Sequence, residues 1–323
     1  MDDLIKYSYA LNGAKAGQKL GVDKVGAALE ADALAWAHLS ASDPRTRPWI
    51  EAHLDYLDPH AIAALLAEET RPRATVIGEG VLLILRGVNL NEGADPEDMV
   101  SVRIWADPHR IVTLSRRRVR AVEEMAALID AGEGPQDAAT FLALITENLD
   151  ARIENYVRDL DGLADGLEEE LVADPSPDLR HRIVDARLNA ITFRRYVSPQ
   201  REAIGTLMRG AVTFIDAEAM RRFHEAHDRL TRLMEDLDAM RERMVVLREE
   251  LMGQQSERLN RNMYVLSLIS AVFLPLGFLT GLFGINLAGM PGAENPMAFW
   301  AFVVGLFALS VGGIALLRWS RWF

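Results

Sequence analysis

The chain contains no cysteine. That absence excludes disulfides, thiolate nucleophiles, iron–sulfur clusters and thiolate zinc sites. Basic charge is also in short supply. There are 35 Lys+Arg against 47 Asp+Glu in 323 residues, a formal net charge of −12. A nucleic-acid binder needs the opposite field, so no nucleic-acid partner is expected. The opening stretch, MDDLIKYSYALNG, has neither a basic flank nor a long apolar run, so no signal peptide is expected there. P-loop, G-x-S-x-G and H-E-x-x-H patterns are missing too. We therefore assign no catalytic residue and expect neither an enzyme nor a resident cofactor.

The most informative scarcity is local. Residues 1–261 carry 33 of the 35 Lys+Arg and 46 of the 47 Asp+Glu, whereas residues 262–317 carry one charged group, Glu294. The near-zero mean hydropathy of +0.03 therefore describes neither part. Two uncharged runs, 262–293 and 295–317, are joined through the turn-like GINLAGMPGAENP. Their helical cores, 262–283 and 297–317, would each be about 31–33 Å long, close to the ~30 Å of a bilayer's hydrocarbon core. Both read as transmembrane helices, and the lipid bilayer is an expected partner. Arg258 and Arg261 precede the first span, Arg318 and Arg321 follow the second, and the connecting loop has no basic residue. The positive-inside rule then puts both termini in the cytoplasm and the loop outside. Tyr264, Trp319 and Trp322 would sit at the inner interface and Trp300 near the outer one.

The first ~120 residues read as α/β. Apolar, β-branched runs at 33–39, 74–77, 81–88, 100–106 and 110–114 look like strands. Asp58-Pro59 is a helix start, with Asp as N-cap and Pro at the first helical position, and it predicts a helix across 61–68. From about Val119 the pattern is helical. Residues 136–171 and 178–207 read as two long helices broken by Pro175 and Pro177. The tip of this hairpin collects Asp159, Asp161, Asp165, Glu168, Glu169, Glu170, Asp174 and Asp178 without a basic residue between them. It is either a solvated surface or a cation-attracting rim. Arg116–Arg118 with Arg120 form a basic cluster, expected to be solvated or salt-bridged.

Ala219, Phe223, Ala226, Leu230, Leu233, Leu237, Met240, Met244, Leu247 and Leu251 follow an unbroken 4-3 spacing, a heptad seam of coiled-coil type. Only Pro275 interrupts the helical pattern between Asp216 and Phe283, and there it would kink rather than stop the helix. Such a rod calls for neighbours along its seam, and two spans per chain cannot enclose an ion path. Both points call for an oligomer. His224 and His227, at i and i+3 on this helix, are a candidate metal pair or a solvated face.

At the outer end of the first span stands Gly284-Ile285-Asn286, followed by Met290-Pro291. The segment NRNMYVLSLISAVFLPLGFLTGLFGINLAGMPG (260–292) resembles the pore region of the CorA metal-ion transporter family. That family carries Gly-Met-Asn here, and the Gly-Ile-Asn of this chain is similar to its ZntB zinc-transporter branch. LRGVNLNEGADPEDMVSVRIW, ETRPR, YVSPQREAI and DRLTRLMEDLDAMRERMVVLREEL extend the resemblance from roughly Trp36 to the end.

The resemblance implies an α+β membrane protein, a homopentamer with a cytoplasmic funnel. The expected division is an α/β funnel domain with helical hairpin at 1–215, a stalk helix at 216–261, a pore-lining transmembrane helix at 262–283, a periplasmic loop at 284–296, a second transmembrane helix at 297–317 and a basic cytoplasmic tail at 318–323. It implies transport of divalent cations, zinc above all, with uptake favoured and proton coupling open. Gly284, Ile285 and Asn286 would form the selectivity filter. Asn260, Met263, Ser267, Ser270, Leu274, Gly277 and Gly281 would line the pore, Met263 and Leu274 as hydrophobic constrictions. Gly277-x-x-x-Gly281 is equally a helix-packing motif.

The residues also carry a physical account of their own. A ring of Asn286 amides suits a largely hydrated dication and is a poor dehydrated zinc site, which prefers His, Cys or carboxylate. As a lone residue, Asn286 would instead be a helix C-cap. A ring of Glu294 would concentrate dications at the pore mouth. Two other readings stay open: a CorA-type Mg²⁺/Co²⁺/Ni²⁺ channel, and a membrane-anchored coiled-coil scaffold that transports nothing.

Overall fold

The computed structural model describes residues 4–173, 175–210, 212–284, 292 and 295–319. The chain forms two compact units, Met1–Arg248 and Glu249–Phe323. The first is built on a six-stranded mixed sheet with strands β1 (Ile5–Ala10), β2 (Ala35–Ser40), β3 (Arg73–Ile77), β4 (Gly80–Gly87), β5 (Val100–Ala106) and β6 (Arg110–Ser115). Their spatial order is β1-β2-β6-β5-β4-β3. β2 and β6 run parallel, and every other neighbouring pair is antiparallel. β3 and β4 close through Gly78-Glu79, a two-residue loop that needs positive φ, and Gly78 supplies it at φ 60°.

Strand alternation sends β2 to two cores. Ala35, Ala37 and Leu39 pack with Val25 and Leu29 of helix α1 (Val25–Glu30), Ile50 of α2 (Thr46–His53) and Leu65 of α3 (Pro59–Leu66). Trp36 points to the other face, where its ring lies 5.1 Å from Phe141 and 5.8 Å from Tyr9. Four polar side chains on that face are linked. Trp36 Nε1 donates to Thr113 Oγ1 at 2.9 Å, and His38 lies 2.9 Å from Thr113 Oγ1 and 3.2 Å from Ser115 Oγ. Burial holds the His38 imidazole down at about 3, with Lys6 adding to it. The ring is therefore neutral and can accept on Nδ1 while donating from Nε2.

The expected α3 start is present: the Asp58 carboxylate accepts from the His60 backbone N–H at 2.7 Å, ahead of Pro59. Two more helices, α4 (Arg120–Asp130) and α5 (Ala138–Ala173), lead into α6 (Leu179–Met208) and then α7 (Ala217–Phe283). The seam of α7 from Ala219 to Leu247 is buried within the chain. This corrects the expectation that it needs neighbouring subunits. α5 and α6 supply the cover, and ion pairs flank it: Arg222 to Glu147, Arg194 to Asp238 at 2.8 Å, and Arg229 to Glu154 at 3.5 Å. A heptad pattern specifies burial against helices, not whose helices they are.

One buried polar contact pins the α5–α6 pair to the sheet. β3 ends its pairing at Arg73↔Ile84, so the Arg86 N–H on β4 has no ladder partner on that side. It donates to Gln200 Oε1 at 2.8 Å, and Gln200 Nε2 donates to Asp150 Oδ1 at 2.7 Å. Asp150 and Gln200 are fully buried, and Asp150 Oδ2 has no partner. Burial raises the Asp150 carboxyl to about 7, against a smaller lowering by the Gln200 hydrogen bond.

The folded state thus holds a proton here that the unfolded chain releases near pH 4, and this contribution to stability is lost as pH rises through about 7. Asp150→Asn is expected to melt above wild type at pH 8, with the gap closing towards pH 5. Thermal unfolding across that range checks this, and a pH-independent difference would contradict it.

Candidate functional site

The site is built on the apolar part of α7 and on α8 (Pro296–Trp319). Both carry windows of mean hydropathy 2.1. In water these surfaces would be unstable, because the large apolar side chains from Leu259 to Ile314 are mostly exposed. In lipid they are satisfied, since each helix bonds its own backbone.

The half-buried positions reveal how the two helices meet. On α7 they are Tyr264, Leu268, Val272, Leu276 and Leu279, and on α8 Ala298, Phe302, Leu306, Ser310 and Gly313. Both sets follow helical spacing and form one stripe per helix. Phe283 and Phe302 close the contact, with ring centroids 4.9 Å apart. A gap of about 370 Å³ remains beside Pro275, lined by Val272 and by Ser310, Gly312 and Gly313.

Every expected pore residue stands off this stripe: Asn260, Met263, Ser267, Ser270, Leu274, Gly277 and Gly281 are all exposed. At 100° per residue, the last four centre roughly 170° around the α7 axis from the α8-facing stripe, with Met263 roughly 160° away and Asn260 and Ser267 at roughly 100–120°. A Cβ added at Gly277 or Gly281 would meet nothing within 4 Å. The Gly277-x-x-x-Gly281 pair therefore takes no part in α7–α8 packing. Ser270 Oγ donates to the Leu266 carbonyl at 2.8 Å and Thr280 Oγ1 to the Gly277 carbonyl at 3.1 Å. With their protons engaged inwards, both hydroxyl oxygens keep lone pairs to offer. Gly284 closes the helix, its N–H donating to the Thr280 carbonyl at 2.9 Å. Ile285, Asn286 and Glu294 lie outside the described residues, as do the four-residue end of the basic tail and Asp174 of the acidic tip.

The acidic hairpin tip is less bare than expected. Arg243, from α7, reaches Asp165 at 2.7 Å, Asp161 at 3.8 Å and Glu168, while Arg182 holds Glu170. The counter-charge comes from some 75 residues away, which no local reading of the tip reveals. Nearby Asp236 is raised from the ordinary carboxylate range by burial, then by Asp161 and Glu235. The basic cluster is salt-bridged: Arg116 to Glu68 at 3.6 Å, Arg117 to Asp98, and Arg118 and Arg120 to Glu123. His224 Nδ1 sits 2.8 Å from the Met220 carbonyl, and His227 Nδ1 lies 3.8 Å from Asp228. Among the described residues no group of three or more His, Asp or Glu side chains gathers into a metal-holding cluster, so the two histidines have no third ligand there.

An α/β unit, one long helix and two apolar helical segments, the first with a face left open, define a membrane protein, and the family match places it in the metal-ion transporter class. Residues 31–318 match the family model described as "CorA-like Mg2+ transporter protein". The chain is 37% identical over 317 residues to the divalent cation transporter CmaX of Pseudomonas aeruginosa, covering 97% of this chain and 93% of that one. It is 34% identical over 322 residues to the zinc transport protein ZntB of Pectobacterium atrosepticum, covering 98% and 97%. The solved structure of full-length CmaX matches with a TM-score of 0.86 at 35% identity, covering 99% of this chain and 98% of that one. This chain belongs to the CorA family of divalent-cation transporters.

The absence of native cysteine makes the two faces of α7 chemically readable. Single cysteines at Ser270 or Leu274 are expected to react with a membrane-impermeant thiol reagent in the assembled protein, and those at Leu268 or Val272 are not. Gel-shift or intact-mass detection of the adduct checks this. Equal labelling of both pairs would contradict the one-sided packing.

Proposed function

We propose that this protein carries divalent metal cations, zinc foremost, into the cytoplasm through a homopentameric pore in the inner membrane. α7 lines the pore, α8 surrounds it, and both termini are cytoplasmic. The observation that carries the reading is the placement of all seven expected pore residues off the α8-facing stripe. A face that does not pack on α8, and that bears Asn260, Ser267 and Ser270, is poorly suited to lipid and well suited to water. Zinc as the cargo is supported by the name of the ZntB relative and by the Gly284-Ile285-Asn286 triplet.

The chemistry of the face fits an ion that keeps its water shell. A hydrated dication presents water hydrogens outwards. Ser270, with its own proton committed to Leu266, accepts them, and the Asn286 carbonyl does the same at the filter. Neither group binds the bare ion strongly, so release stays fast. Met263 and Leu274 would gate by dewetting when the ring narrows. Glu294, repeated around the mouth, raises the local cation concentration. The inside-negative potential supplies about 4.6 kcal/mol per 100 mV to an inward-moving dication, twice the single-charge value. Residues 262–317 contain no Asp, Lys or His. Any proton coupling therefore runs through Glu294 or through carboxylates of the soluble unit.

The second reading, a channel for Mg²⁺, Co²⁺ or Ni²⁺, draws support from the family model's description. Block by hexaamminecobalt with Mg²⁺ preferred over Zn²⁺ separates it from the first.

Reconstituted into proteoliposomes with an internal zinc-reporting dye, the protein is expected to admit Zn²⁺ under an inside-negative potential. Asn286→Ala should lower the selective flux by at least about tenfold, the loss expected when a filter contact worth roughly 1.4 kcal/mol or more disappears. Wild-type flux in that variant would identify a different filter, and no Zn²⁺ entry through the wild-type protein would identify a scaffold.

A further inference from the structure

The soluble unit contains a cleft that the transport reading does not use. It has a volume of about 700 Å³ and is lined by six arginines, Arg71, Arg86, Arg103, Arg116, Arg117 and Arg195, against three carboxylates, Glu68, Glu69 and Asp98. In a chain of net charge −12 this is a local reversal of sign. Two of the carboxylates are engaged by Arg116 and Arg117. Among the described residues no ion pair is recorded for Arg71, Arg86, Arg103 or Arg195.

Arg103 is the decisive member. It sits on β5, 1% exposed. Its Nη2 donates to the Ala67 carbonyl at 2.9 Å, and its Nε and Nη1 have no partner. Burial, then the neighbouring Arg116 and Arg86, lower its affinity for its own proton to about 10. A buried guanidinium with idle donors and no counter-charge is unfavourable unless a ligand completes it. Arg86 is held the same way. Its Nη1 and Nη2 donate to the Met99 and Thr70 carbonyls at 2.5 and 2.7 Å, and its Nε is unpartnered. The Tyr196 ring lies 4.6 Å from the Arg86 guanidinium and 4.8 Å from that of Arg195. Carbonyls and an aromatic ring thus fix the forks in advance.

Planar guanidinium forks match the paired oxygens of phosphate groups. The volume lies within the range of small-molecule sites, roughly 300–1,000 Å³, and far exceeds a single halide or orthophosphate. We propose that this cleft binds a polyphosphate-bearing small molecule of the nucleoside di- or triphosphate class, with Arg103 and Arg86 on the phosphates and Arg117 and Arg195 at the rim.

The test titrates the purified full chain in nanodiscs, with chelator present, against ATP, pyrophosphate and orthophosphate by calorimetry. Saturable binding of pyrophosphate and ATP is expected, with orthophosphate weaker. Equal affinity for the first two means that phosphates alone are read, and tighter ATP means that the nucleoside is read as well. Arg103→Met should weaken binding by about tenfold or more, as for loss of a charged hydrogen-bond partner. Because that position is in the core, the exposed pair Arg117→Ala with Arg195→Ala is the companion variant. It should weaken binding similarly with an unchanged melting temperature, while Arg158→Ala, outside the cleft lining, leaves it intact. No saturable binding of any of the three compounds overturns the proposal. So does pyrophosphate binding that survives the rim pair, or equal competition by chloride.

Discussion

The rest of the molecule depends on the difficulty of moving a doubly charged ion through hydrocarbon. A dication cannot shed its water into a low-dielectric layer without a large penalty. Either the protein replaces that water with strong ligands, or it builds a wet path and leaves the shell in place. The chain has no cysteine, and residues 262–317 hold a single carboxylate and no histidine. The first option is therefore closed within the membrane. What remains is α7, whose open face carries hydroxyls, the Asn260 amide and two glycines, with apolar side chains between them. One such helix encloses nothing, so the same constraint that dictates a wet path also demands several copies of the chain.

The soluble unit answers a different constraint. It covers the α7 seam with α5 and α6 and locks their junction to β4 through Arg86, Gln200 and Asp150. The lock is tight and incompletely satisfied, with a carboxyl oxygen left unpartnered in the core. Charge is distributed with equal care. The acidic hairpin is tied to α7 by Arg243, and the arginine surplus is gathered into one cleft on the sheet side.

Much of this architecture was legible in the sequence, for identifiable reasons. Five strands announced themselves through apolar, β-branched runs, and β5 came out over 100–106 as expected. The long helices showed their periodicity and the prolines between them. β1 did not show, because IKYSYA mixes lysine, serine and two tyrosines and lacks clean alternation. Tyr9 is buried, and Tyr7 half-buried, against Trp36 only in three dimensions. The short helices α1 and α2 fall below the length at which periodicity speaks. The seam was visible but its cover was not, since a heptad does not name its partner. The open face of α7 was legible residue by residue, because helical spacing alone puts Ser270, Leu274, Gly277 and Gly281 together. The arginine cleft was overlooked, although a signal existed: LLILRG and VSVRIW each place one arginine inside an otherwise apolar strand. A lone charge in a buried run marks a position whose partner lies elsewhere.

In the proposed function, the open face of α7 becomes a water-filled path only when copies of the chain surround it. Native mass spectrometry of the full chain released from lipid nanodiscs tests this most directly. A single dominant species at five times the chain mass is expected. A monomer or dimer as the only species would contradict it, because neither can close a ring around an ion.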